Sequence, residues 1–176
     1  MSLRSYRGVH PSLGERVYVD ETAVVIGRVS LGDDVSIWPL VVARGDIHRI
    51  EIGARTNVQD GSVLHVVSDG PYNPGGLPLI VGEDVTVGHK AVVHAARIGH
   101  RCLIGMGALV LDGAQVEDEV IIAAGSVVPP GKRCGARGLY LGNPARRVRE
   151  LDDRDVERLL YTAAHYVKVK EDYRGG

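Results

Sequence analysis

A chain of 176 residues fits one domain, and a formal net charge of −1 gives no electrostatic case for nucleic acid or for an anionic membrane. Gly 23 with Phe 0 is unusual for an ordinary globular core and suits narrow coils with tight corners, filled by Val, Ile and Leu. Residues 1–11 lack an apolar signal-type stretch, no apolar run approaches a membrane span, and Cys102 and Cys134 are too few for a disulfide framework, so a soluble cytoplasmic protein is expected.

Residues 1–18 read as an N-terminal cap over the open end of a stack of repeats. From Val19 apolar residues recur every sixth position: Val19, Val25, Leu31, Ile37, Ala43. Trp38-Pro39 marks a corner, since proline is excluded from a central strand. Three extra residues fall around Arg44-Gly45-Asp46, and the beat resumes at Ile52, Val58 and Leu64. Residues 66–78 form a loop whose Gly, Pro, Asn and Asp content is turn chemistry. The beat returns at Val81 and holds to Val128, with one unit shortened between Val93 and Ile98, and Pro129-Pro130-Gly131 ends it, so the repeats span 19–131. Residues 132–151 are a connector. Asp152 then caps a helix over 152–172 whose apolar face is Val156, Leu159, Leu160, Ala163 and Val167, and residues 172–176 are expected to fray.

A sustained period of six is neither the 3.6 of a helix nor the alternation of a simple strand. It belongs to an all-β solenoid of hexapeptide repeats, with the helix packed alongside. The second position of a unit is often Gly or acidic (Gly53, Gly82, Gly99, Glu117), and the fifth is small or β-branched (Thr56, Ser62, Ala108, Ser126). Cys102 takes such a fifth position and reads as a buried thiol. Three histidines, His65, His89 and His94, interrupt the pattern. A lone histidine at a corner is ordinarily a surface residue, so the interest lies in the set.

The ordered set Ala43-Arg44-Gly45-Asp46, Asn57-Val58-Gln59-Asp60-Gly61, His65, Val87-Gly88-His89 and His94, followed by the repeats and Gly142-Asn143-Pro144-Ala145, resembles the γ-class carbonic anhydrase family. The likeness covers about residues 10–170 and is closest to the short members that carry no long acidic loop. Gly-Asn-Pro-Ala alone occurs in many hexapeptide-repeat proteins; the ordered set with His-x4-His is specific. The resemblance implies a left-handed parallel β-helix with three hexapeptide units per coil, and a homotrimer. It implies a metal, usually Zn2+ with Fe2+ or Co2+ also found, held at subunit interfaces by His65 and His94 of one chain and His89 of the next. The implied activity is reversible hydration of CO2 to bicarbonate by metal-bound hydroxide, with Gln59 and Asp60 as catalytic groups. Arg44 and Tyr161 would face substrate, and Arg44 and Asp46 would pair between subunits.

Given three units per coil, the step from Leu64 to Val93 is one coil plus the extra residues of the loop, so His94 stacks on His65 at roughly the 5 Å inter-strand spacing. An extended five-residue step spans about 16 Å, which separates His89 from His94 of the same chain and sends the third ligand to a neighbouring subunit. Asp60 precedes His89 by the same step and stacks beneath it, either orienting the ring or standing as a solvated turn aspartate. Arg44 and Asp46 either cross a subunit contact or form a surface pair. The best-known active members carry a glutamate just after the Arg-x-Asp motif and others on the acidic loop, and these are thought to move protons. Here Ile47 follows Asp46 and the 66–78 loop offers only Asp69, which implies slow or conditional turnover. Two alternatives stand beside this reading: a hexapeptide-repeat acyl- or acetyltransferase with a single histidine base, and a non-catalytic trimeric metal-binding protein.

Overall fold

Strands of only two or three residues carry most of the apolar beat, each stacked in parallel on the strand one coil before it. In this structure, a computed structural model that describes residues 2–175, Leu103 pairs with Ile121, Arg97 with Gln115 and Leu109 with Val127, each pair three hexapeptide units apart. The step lengthens at Val42↔Val63, across the insertion around Gly45. It lengthens further at Val63↔Val92, across the loop. It contracts at Val92↔Leu109, at the shortened unit. The result is the left-handed parallel β-helix of about eight turns, with one terminal helix.

The coil has three faces. Long strands Val24–Leu31 and Val42–Ile52 bend across one corner and join the first two faces into a twelve-stranded sheet; the third face is a separate eight-stranded sheet. Inward side chains are almost wholly buried, among them Val25, Leu64, Val93, Ile104 and Val128. The outward side chains distinguish the faces. On the first they are register partners Val24, Val42, Val63, Val92, Leu109 and Val127. On the second they are mostly polar, including Ser30, Glu51, Arg97, Gln115 and Arg133. The third is covered by the helix.

The corners explain the glycines. At the second position coils approach backbone to backbone: a Cβ on Gly82 would fall 2.7 Å from the carbonyl carbon of Gly99. The fourth position turns through the left-handed region, with Arg55, Asp84, Arg101 and Glu119 at φ between 53° and 59° and Gly61, Gly107 and Gly113 between 65° and 69°. Charged fourth-position residues then pair between coils, as Arg55 does with Asp84 (2.7 Å) and Arg101 with Glu119 (3.0 Å).

The leading segment is itself paired: Ser2–Arg4 lies parallel to Val24–Ile26, and Ser12–Leu13 to Ser30–Leu31. At the other end Gly138–Leu141 turns back antiparallel on Arg146–Glu150. Helix Asp153–Gly175 opens with a reciprocal cap, Asp155 N–H on Asp152 Oδ1 (2.9 Å) and Asp152 N–H on Asp155 Oδ2 (3.1 Å).

Its buried stripe runs through Leu159, Ala163 and Lys170. Leu160, expected on that face, is 42% exposed, because Tyr166 and Lys170 continue the stripe set by Leu159 and Ala163 at steps of three and four. Lys170 is fully buried and reaches Asp34 Oδ1 (3.1 Å) and Glu171. Expected fraying from residue 172 is not found: the helix continues to Gly175, and the Tyr173 ring packs on Trp38 at 5.1 Å, where Tyr18 and Tyr166 also meet the indole. Residue 176 lies outside the described residues. Cys102 and Cys134 are free and buried, and burial raises their thiols to about 12 and about 11. No described helix is long and apolar enough to cross a membrane.

Candidate metal centre

His65 and His94 are direct register partners at the ends of strands Val63–His65 and Val92–His94. Their rings meet at the edge of the first face, with His65 Nδ1 3.1 Å from His94 Nε2. The outer nitrogen of each ring faces a carboxylate: His65 Nε2 lies 3.1 Å from Asp46 Oδ1, and His94 Nδ1 contacts Asp112 Oδ1. An ionised carboxylate only accepts, so each outer nitrogen carries the proton. Both inner nitrogens then present lone pairs to one another, an arrangement that invites a cation between them.

Electrostatics favour the neutral ring at His65. Burial, aided by the nearby Arg44 cation, lowers the His65 pKa below its ordinary value against the pull of Asp46. Burial pushes the Asp46 carboxyl up, but hydrogen bonds from Arg44, His65 and the Ile47 amide outweigh it and hold the group below the usual carboxylate range. Asp46 is thus shared between Arg44 Nη1 (2.5 Å) and His65 within one chain. The strand that supplies it, Val42–Ile52, bulges between the pairings Gly27↔Gly45 and Val29↔Ile50, and this insertion carries Asp46 to the histidine edge.

His89 follows strand Thr86–Val87 on the third face, and its Nδ1 lies 2.9 Å from Asp60 Oδ2, as the shared register implies. Its Nε2 is left directed away from that carboxylate. Among the described residues of a single chain, no three His, Cys, Asp or Glu side chains gather as a metal group. The donor chemistry fits a zinc-type ion all the same. Two neutral imidazole nitrogens 3.1 Å apart approach the edge of a tetrahedral site, about 3.3 Å for Zn–N bonds of 2.0–2.1 Å, and each ring is oriented by a carboxylate on its far side.

Gln59 is buried beside His89 and donates its Nε2 to Asn57 Oδ1 (3.1 Å). Both Gln59 and His89 line a cleft between the third face and the helix. Tyr161 makes no ring contact with His65, His89 or His94 among the described residues of its own chain: it is 71% exposed, its ring stacked on His165 at 6.3 Å. Asp112 belongs to none of the sequence motifs, although it stands one coil after His94. The direct bond from His65 Nε2 to Asp46 has no such signal, because the bulge breaks the count.

The chain matches the model for the family described as bacterial transferase hexapeptide (six repeats) over residues 95–130. It is 56% identical over 171 residues to protein YrdA of Escherichia coli K12, covering 97% of this chain and 93% of that one. It is 37% identical over 163 residues to the mitochondrial gamma carbonic anhydrase 2 of Arabidopsis thaliana, covering 92% of this chain and 58% of the longer plant protein. A crystal structure of a hexapeptide transferase family protein from Anaplasma phagocytophilum superposes with a TM-score of 0.90 at 34% identity, over 98% of both chains. With its coil, its ordered motifs and its relatives in agreement, this chain belongs to the γ-class carbonic anhydrase-like family of hexapeptide-repeat proteins.

Proposed function

We propose that the protein is a metal-dependent carbonic anhydrase that hydrates CO2 reversibly to bicarbonate as a homotrimer. The observation that carries this reading is the opposed pair His65 Nδ1 and His94 Nε2, each ring held by a carboxylate from behind. A zinc or ferrous ion bound there would supply acidified water at neutral pH. The chain's own residues do the rest. Asp46, Asp112 and Asp60 keep the three imidazoles in the tautomers that leave one lone pair each for coordination. Arg44, beside the site and partly exposed, offers a cation to the departing bicarbonate. Gln59 lines the cleft with its amide nitrogen engaged by Asn57, and its amide oxygen can accept a hydrogen bond from a reacting water.

Two features support the trimer. The His65–His94 pair needs a third ligand, and His89 stands on a different face of the same coil. The outward ladder from Val24 to Val127 runs along the edge that carries the pair and is apolar, while the second face is largely polar and the third is already covered. Packing that ladder against a neighbour buries it and brings a second chain to the site.

Metal analysis on protein purified anaerobically without chelator, beside His94→Ala, tests the reading. It requires close to one ion per chain in the wild type, almost none in the variant, and CO2 hydration with zinc or ferrous iron in the wild type alone. Full hydration activity in His94→Ala would overturn it. An acyltransferase has less support. The transferase-named match covers residues 95–130, which contain none of the three histidines, and so speaks for the coil. Coenzyme A binding that is indifferent to chelator would revive that alternative.

A further inference from the structure

The cleft beside His89 is larger than carbon dioxide requires. Its volume is about 560 Å³, within the range of sites that enclose organic ligands. It runs along the coil axis, from Gln59 and Thr86 past Leu103 and Ile121 to Arg158 on the helix.

Its inner end is polar and incompletely used. Gln59 and Thr86 are 4% and 3% exposed. Asn57 stands between them, accepting from Gln59 Nε2 on Oδ1 (3.1 Å) and donating Nδ2 to Thr86 Oγ1 (2.9 Å). That arrangement leaves the Gln59 Oε1 acceptor and the Thr86 hydroxyl hydrogen without protein partners among the described residues, in a cleft both side chains line. Hydrogen-bonding capacity on nearly buried side chains is costly unless water or a ligand fills it.

The outer end is cationic. Arg149 is committed to Asp155 through two bonds of 2.5 and 3.0 Å. The Arg158 guanidinium, a neighbour in the cleft wall, makes no hydrogen bond or ion pair among the described residues. Between the ends, Leu103, Ile121 and Leu159 present apolar wall. Thr86 and Ile121 are two coil steps apart, roughly 10 Å.

We infer that this cleft binds a linear aliphatic carboxylate that carries an amide at its other end. The amide N–H donates to Gln59 Oε1 and its carbonyl accepts from Thr86 Oγ1; the methylene chain lies on Leu103 and Ile121; the carboxylate pairs with Arg158. The site goes beyond CO2 hydration and stands on the chain's own cleft, so it does not depend on a metal.

The probe is 6-acetamidohexanoate, with hexanoate and N-hexylacetamide as forms lacking the amide and the carboxylate. Trp38, the one tryptophan in the chain, contacts Tyr166, which lines the cleft, so its fluorescence reports occupancy. Saturable binding of the amido acid is expected, about tenfold weaker for either truncated form, and unchanged by chelator. Arg158→Gln should weaken the amido acid about tenfold and leave N-hexylacetamide alone. Ala123→Leu, which fills the cleft, should abolish binding of all three while circular dichroism stays that of the wild type. Absence of saturable binding at millimolar probe would overturn the inference, as would equal affinity in wild type and Arg158→Gln. Saturable probe binding by protein that holds no metal when purified without chelator would defeat the carbonic anhydrase reading and leave this one standing.

Discussion

Asp112 stands one coil beyond His94 and takes the proton-bearing Nδ1 of its ring, leaving Nε2 turned to His65. Removing such a carboxylate typically costs about 10–100-fold in metal affinity. Asp112→Ala should therefore bind zinc or cobalt about 10–100-fold more weakly in competition with a chelating dye, with far-UV circular dichroism unchanged. An unaltered affinity would mean that Asp112 is a surface neighbour and not the group that orients His94.

The apolar ladder makes its own demand. Val63 lies between Val42 and Val92 and is 38% exposed in a single chain. Val63→Glu would place a carboxylate in the proposed subunit contact, a burial costing several kcal/mol. Sedimentation velocity should show the trimer giving way to monomer, and metal content should fall with it. A Val63→Glu trimer of wild-type mass would move the contact to another face.

Much of the coil is legible in the sequence because three hexapeptide units per turn, a count that comes with the resemblance, relates most stacked residues once the insertion, the loop and the shortened unit are allowed for. His65 with His94, and Asp60 with His89, follow from it directly. Asp112 lies one residue past that count, which across the shortened unit runs Val92 to Leu109 and Val93 to Val110. Asp46 is not legible by it, since it sits in an insertion where counting fails and only the path of the bulge decides which ring it meets. The helix announces itself by its cap and its period, yet apolar spacing points its buried stripe wrongly toward Leu160. A fully buried lysine, matched to Asp34 across the helix–coil contact, cannot be recognised from such spacing. Tyr161 carries a resemblance that its own chain does not complete.

Stacked corners leave no room beside second-position glycines such as Gly82. Gly82→Ala would drive a Cβ to 2.7 Å from the Gly99 carbonyl carbon, and overpacking of this kind costs about 1–3 kcal/mol. Gly107 differs: an added Cβ meets nothing within 4 Å, and the obstacle is its φ of +65° alone. Gly107→Asn, a residue that tolerates this region, should thus lose much less than Gly82→Ala in urea unfolding. Equal losses would show that conformation, not contact, governs both positions.

Acid should loosen the helix. The Arg16 bond, and after it Lys170, hold Asp34 at about 2, below its ordinary 3.8, against the opposing effect of burial. A depressed folded pKa gives stability that is present above about 4 and lost as pH falls toward about 2. Trp38 fluorescence, which reads the helix through Tyr166 and Tyr173, should show weakening in that window. Asp34→Asn should flatten this part of the pH dependence while lowering stability at neutral pH. A variant with the wild-type acid profile would assign acid sensitivity to other carboxylates.

In the proposed hydration of CO2, proton removal is the step for which the chain shows least provision. Ile47, next to Asp46, is 38% exposed and apolar, and Asp69 in the 66–78 loop is tied to the Gly75 amide at 2.7 Å. Hydration of CO2 releases a proton each turn, so buffer has to carry it. Ile47→Glu places a titratable carboxylate beside the His65–Asp46 pair without altering either. General acid–base groups contribute about 10²–10⁴-fold where transfer is limiting, and a gain of up to about 10²-fold in kcat is expected for Ile47→Glu in dilute buffer. The gain should shrink as imidazole buffer is raised, because the buffer then does the same work in the wild type. A kcat indifferent both to buffer and to Ile47→Glu would place the slow step at CO2 attack or bicarbonate release.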